Sequence, residues 1–192
     1  MGTAVLSRDE ILEKTKIQNL AGEDLSGADL AGTDLSRVNF TGANLKGANL
    51  KGANLEEARF HEASLQAADL SGANLKRAYL VAADLLGANL EDANLEWAFL
   101  SGANIGGASF KGANLKRVRF GVVQAAFPNV SGRPTSFQNA DLEEAVFNAT
   151  NLKGVDLRGA NLKNTYLYEA KIRNAIVDKA QLKDAITMAE TY

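Results

Sequence analysis

The sequence predicts an all-β solenoid in which the chain turns a corner every five residues and closes a coil every twenty. Three observations lead there. Between Ala43 and Leu55 a unit of Ala-Asn-Leu, one polar residue and one small residue runs three times without a break. Extended both ways, the same frame sets a large apolar residue at every fifth position from Leu20 to Phe120. These 21 centres ((120 − 20)/5 + 1) are all leucine except Phe40, Phe60, Ile105, Phe110 and Phe120. The exceptions to the pattern recur by twenties: Arg37, Glu57, Arg77, Trp97 and Arg117 stand where glycine or alanine is usual.

Neither regular period accounts for a spacing of five. In a helix, five residues advance about 140° net, so successive leucines spread around the circumference and make no buried face. In a straight strand an odd spacing sends alternate leucines to opposite sides. A chain that bends at each unit aims every centre inward. The residue two before each centre must then also point inward, and it is alanine at 16 of the 21 centres, as a narrow interior requires. The residue before the centre and the two after it face water. Glycine two places after the centre, as at Gly47 and Gly52, suits a turn position that favours positive φ.

Residues 1–16 lie outside the repeat and read as an N-terminal cap helix. Ser7 with Glu10 forms a capping box, Leu6 and Ile11 stand at staple spacing, and Ile11 and Leu12 can cover the first coil. Residues 17–120 are the main array. Residues 121–136 break the frame with Pro128, Pro134, Ser131, Gly132 and Asn129, a strong loop signal. From Phe120 to Phe137 is 17 residues, three units plus two. Two readings stay open: a two-residue bulge with Ala125 and Phe127 as a degenerate inward pair, or a longer projecting loop. Residues 137–178 resume the array. In 179–192, Leu182, Ala185, Ile186 and Ala189 have the spacing of one helical face and predict a C-terminal cap helix over 179–190 within the single domain 1–192.

The tandem array closely resembles the pentapeptide-repeat family over residues 16–182. That resemblance implies a right-handed quadrilateral parallel β-helix. It is closest in character to bacterial and cyanobacterial members, several of which act by protein contact in regulation. It also implies that a monomer or a homodimer joined through a terminal cap is to be expected. Fold alone does not assign function, because one architecture hosts many activities.

Net charge is −2, with 21 Lys+Arg against 23 Asp+Glu, which favours neither a nucleic-acid partner nor an acidic surface. There is no cysteine, which excludes disulfides and thiolate metal sites. The N-terminus lacks a basic region followed by an apolar run, and no stretch nears the roughly 18 apolar residues of a membrane span. A cytoplasmic protein with no membrane contact is the expectation.

No catalytic, cofactor or metal constellation emerges. His61 is the only histidine and takes an outward slot. A general acid-base pair needs a cleft that shifts one pKa, and a convex rod offers none. The glycines recur as corner residues and not as a nucleotide-binding loop ahead of a helix. What stands out is one side. By twenties, the slot before the centre runs Asn39, Arg59, Tyr79, Phe99, Arg119, beside the corner column that runs from Arg37 to Arg117. Arg59, Arg77, Tyr79, Trp97, Phe99, Arg117 and Arg119 are therefore expected to form one cationic and aromatic patch, residue types that often dominate interface energy. The function expected is a non-catalytic scaffold docking a protein partner through that patch. The alternative, suggested by the resemblance, is a DNA mimic occupying a type II topoisomerase as quinolone-resistance members do. That mechanism wants a continuous acidic stripe, and Lys46, Lys51, Lys76, Lys111 and Lys116 interrupt the carboxylates.

Overall fold

A computed structural model of the chain describes residues 7–16, 18–123, 125 and 132–187. Within the repeats, parallel bridges join residues twenty apart on four interleaved lines: Asn39 to Arg59, Asn44 to Ser64, Asn49 to Asp69 and Asn54 to Asn74. Each coil thus has four sides, centred in turn on Phe40, Leu45, Leu50 and Leu55, and called here the first to fourth sides. The result is a parallel β-helix solenoid.

The five-residue unit explains each feature. The centre's N–H donates across to the next coil, as Leu45 N does to Ser64 O at 2.7 Å, and the slot before it bonds to the previous coil, as Asn44 N does to Glu23 O at 2.9 Å. The corner closes as a β-turn from Ala48 N to Leu45 O at 3.0 Å. Its third residue, Gly47, has φ +65°, the value a type II turn demands there. The backbone is satisfied coil by coil, so short extended pieces need no long strands.

Asparagine or aspartate in the slot before the centre does two jobs. The oxygen of Asn74 accepts from Lys76 N at 3.3 Å, fixing the corner, while its amide donates to Asn54 at 3.0 Å, tying one coil to the next. On the fourth side the ladder runs on through Asn94 and Asn114 at 3.3 and 3.1 Å.

The interior is an apolar column. Leu45, Leu50, Leu55 and their equivalents are wholly buried, and the alanines two before them are 0–1 % exposed through the middle coils. Phenyl rings stack where they recur by a coil, Phe40 on Phe60 at 4.8 Å and 3°.

The frame break is resolved by register. Ser109 bridges Ser136, Asn114 bridges Asp141 and Arg119 bridges Val146, a step of 27 residues (136 − 109) in place of 20. The coil therefore carries seven extra residues, which excludes a two-residue bulge. Ala125, buried at 2 %, sits on the second side where a large centre is usual, while Phe127 lies outside the described residues. Around this level Phe110, Phe120, Phe137 and Phe147 pack as two stacked pairs with edge contacts between them. Thr135 anchors the near end of the insertion. Its buried hydroxyl lies 2.8 Å from Ile105 O and 2.9 Å from Ala125 O and accepts from Gly107 N at 3.0 Å.

At the start, α1 (Arg8–Thr15) has its capping box between Ser7 and Glu10 and buries Ile11 in the core, with Leu12 half-buried. Leu6 lies outside the described residues. At the other end, the helix expected over 179–190 is corrected: α2 (Lys179–Leu182) is one turn long, opened by Asp178. Ile186 then bridges Tyr166, donating to Thr165 O at 2.8 Å. The coil path resumes there because a sheet edge offers that backbone more partners than an isolated turn of helix would. Ala189 lies outside the described residues.

Candidate functional site

The bridge ladder of the first side runs Asn39, Arg59, Tyr79, Phe99, Arg119, Val146, Tyr166, so the four central residues lie in one outward column. Tyr79 and Phe99 stack with ring centres 5.2 Å apart and planes within 6°. Arg119 caps that pair, its guanidinium 5.7 Å from the Phe99 ring. In the adjoining corner column Arg117 lies 5.0 Å from the centre of the Trp97 ring. The two columns meet: Arg77, Tyr79, Trp97 and Phe99 together line one shallow depression. Tyr79 and Trp97 are 43 % and 39 % exposed, against full burial for the phenylalanines of the core. Each cation over a ring contributes about 0.5–1 kcal/mol at such an exposed site.

The charge of this patch is lower than its arginines alone imply. Glu57, within the corner column, takes Arg37 at 3.1 Å and faces Arg77 at 3.8 Å. Glu144 takes Arg117 at 2.8 Å. Glu144 follows Arg117 by 27 residues and not 20, so the seven-residue insertion hides it, together with Val146 and Tyr166, from a count by twenties. Of the seven arginines and aromatics singled out, Arg59 and Arg119 are the two cations without a carboxylate partner among the described residues.

The corner carrying Arg37, Glu57, Arg77, Trp97, Arg117, Glu144 and Asn164 is unlike the others in its backbone. All seven have φ between 55° and 64°, and no glycine occurs there from 37 to 164, whereas each of the other three corners uses glycine several times. A side chain in that left-handed conformation costs on the order of 1 kcal/mol or more. The column retains long side chains where glycine would be less strained.

The fourth side has a different character. The slot after its centre alternates Glu56, Lys76, Glu96, Lys116, Glu143 and Lys163, with Lys76 to Glu96 at 2.9 Å, Lys116 to Glu143 at 3.2 Å and Lys163 to Glu143 at 2.9 Å. Alternation of sign cancels the column's charge. The hydrogen bond from Lys76, then the charges of Lys76 and Arg117, hold the Glu96 carboxyl below its ordinary 4.5. Hydrogen bonds from Lys163 and then Lys116 do the same for Glu143. Carboxyls with lowered folded pKa stabilise above their unfolded value, and that contribution is lost as pH falls through the folded one. Urea midpoints should thus hold level from pH 7 to 5 and decline below about 4.5, with a shallower decline in Glu96→Gln/Glu143→Gln. An equally steep decline in that variant would remove the column from the explanation.

Among the described residues no group of three or more His, Cys, Asp or Glu is placed to hold a metal ion, and no helix is long and apolar enough to cross a membrane. His61 is half-exposed beside Glu62 at 3.3 Å.

Comparison with known proteins follows the repeat. No curated protein matches the sequence significantly. Among solved structures, the chain is similar to a pentapeptide repeat protein from the thylakoid lumen of Arabidopsis thaliana, with 43 % identity over 47 % of this chain and 67 % of that one and a TM-score of 0.42. It is similar to the pentapeptide repeat protein Rfr23 from the cyanobacterium Cyanothece 51142, with 22 % identity over 92 % of this chain and 97 % of that one and a TM-score of 0.43. It is also similar to QnrB1, a plasmid-mediated fluoroquinolone resistance protein, with 18 % identity over 85 % and 87 % and a TM-score of 0.41. The family model for pentapeptide repeats matches in eight copies across residues 24–61, 58–96, 88–121, 135–164 and 150–186. Matched on both sides of the insertion and over most of its length, the chain belongs to the pentapeptide repeat family.

Proposed function

We propose that this protein is a non-catalytic scaffold that docks a protein partner, in a regulatory role, through the first side and the glycine-free corner beside it. The observation that carries the reading is the corner column itself: Trp97, Arg77 and Arg117 occupy left-handed backbone that glycine would adopt with less strain. Strain retained at an exposed surface fits a surface kept for contact. The exposed aromatics beside it are grouped, which is the pattern of a contact surface and not of scattered surface residues. The rod supplies rigidity, so the face is presented with little ordering cost on binding.

A DNA-mimic role has less support, because the outward column of the fourth side alternates in sign and the conspicuous patch contains arginines, Arg59 and Arg119, with no carboxylate partner among the described residues. Absence of inhibition in a gyrase supercoiling assay with micromolar protein would dispose of it.

The test of the leading reading is the triple variant Arg77→Ala/Trp97→Ala/Arg117→Ala. It should lose capture of its partner from a lysate of the source cells while keeping the β-rich circular dichroism of the parent. Hot-spot truncations of this kind typically cost ~2 kcal/mol or more each, enough to remove binding in combination. Undiminished capture would take the binding role away from this face.

A further inference from the structure

Among the described residues Arg59 and Arg119 on this face have no carboxylate partner, and we propose that they, with the ring pair between them, bind an extended acidic peptide segment lying along the solenoid axis. The segment would carry two carboxylates four residues apart and an apolar side chain midway. This deepens the scaffold reading and rests on it.

Charge sorts the candidates. Arg37 and Arg77 share Glu57, and Arg117 is held by Glu144, so these three already face carboxylates within the protein and are partly neutralised. Arg59 and Arg119 are exposed and make no ion pair among the described residues. Arg119 leans over Phe99, which leaves its guanidinium edge and its five N–H donors open to a carboxylate.

Spacing then selects the ligand's form. Arg59, Tyr79, Phe99 and Arg119 are successive bridge partners, so the two arginines are three coils, or about 14 Å, apart. An extended chain advances about 3.4 Å per residue with alternate side chains on one face. Residues i and i+4 therefore reach both arginines, and i+2 lands over the Tyr79–Phe99 pair. A helix would need its carboxylates about nine residues apart, with the intervening side chains turning away from the face.

Ring orientation sorts the chemistry further. Tyr79 and Phe99 stack on one another, and Arg119 lies over the Phe99 ring. Ring edges carry the positive end of the aromatic quadrupole, which suits an apolar or anionic neighbour. Single-stranded nucleic acid, which also pairs arginines with aromatics, binds by stacking bases on open ring faces, and here Tyr79 and Phe99 spend one face each on their own stack while Arg119 lies over Phe99.

The experiment uses the full-length protein and fluorescein-labelled peptides read by anisotropy. The probe is Ser-Glu-Thr-Phe-Thr-Glu-Ser. Its comparators are the same peptide with both glutamates replaced by lysine, a version with the glutamates three apart, and an eight-residue oligothymidylate. The probe should bind about tenfold or more tighter than each comparator, and added salt should weaken it. In Arg59→Glu/Arg119→Glu the preference should invert toward the lysine peptide, with an unchanged urea midpoint showing that the fold is intact.

Equal binding of the acidic and basic peptides, tighter binding of the oligothymidylate, or a preference that survives charge reversal would each overturn the proposal. Arg59 and Arg119 are untouched in the triple variant described above, so the two readings fail separately. Loss of partner capture in the triple variant, with no peptide discrimination, rejects the acidic ligand and keeps the face.

Discussion

Replacing Phe120 by alanine is expected to lower stability by about 3–5 kcal/mol, a loss in the upper part of the range for core truncations. Phe120 is fully buried, stacks on Phe147 at 4.1 Å and 11°, and meets Phe110 and Phe137 edge-on at 6.4 and 5.7 Å. Its partners cannot close the cavity, because each ring is fixed in a coil whose backbone is bonded above and below. Among the described residues the neighbouring second side offers the small side chain of Ala125 at this level. Leu50→Ala, in a regular coil, should cost less, toward about 2–3 kcal/mol, since it removes a smaller buried side chain. Solenoids can unfold in parts, so urea transitions should be read beside amide exchange at 115–123 and 137–147. A Phe120→Ala loss below about 1.5 kcal/mol would mean that the four rings are not the tightly fixed pack described here.

How much of this was legible in the residues depends on what breaks the period. The spacing of five is plain because the narrow interior admits only alanine two before each centre, so Ala43, Ala48 and Ala53 mark the frame as clearly as the leucines do. The coil length of twenty was legible only through residues that need not be there, such as Arg77 and Trp97 in a left-handed corner; a perfect array of glycine corners would have hidden it. Register beyond Phe120 was not legible. Ala125 lacks the large side chain that would have marked the second side, so seven added residues could not be told from two, and Glu144 and Tyr166 were not assigned to their columns. At the C-terminal end, Leu182, Ala185 and Ile186 fit both a helical face and a closing coil. A neighbouring edge decides between them, through Tyr166 and Thr165, and no local spacing records it. On the candidate face the columns could be written down in advance. Their ion pairs could not, since Glu57 can turn toward Arg37 or Arg77 and in the fold meets both.

Thr135→Val should cost about 1–3 kcal/mol although it removes no volume. Thr135 occupies the inward slot two before Phe137, the slot that Val38, Val118 and Val155 fill in other coils and in which all three are buried. Valine therefore fits, and any loss is polar. The hydroxyl has one proton to share between Ile105 O and Ala125 O and accepts from Gly107 N. Those contacts tie residue 135, after the insertion, to residue 125 within the same coil and to the coil beneath. Thr165→Val is the matched control. Thr165 is equally buried in the equivalent slot, but its hydroxyl only adds a second donor to Leu142 O at 2.8 Å, an oxygen already taken by Ala145 N at 2.9 Å. It should cost about 0.5–1.5 kcal/mol. Thr135→Ser should restore most of the parent stability because it keeps the hydroxyl. Amide exchange should rise at 102–107 and 121–125 in Thr135→Val and in neither of the other two variants. Equal losses in Thr135→Val and Thr165→Val, with no local rise in exchange, would show that the insertion is held by something other than this hydroxyl.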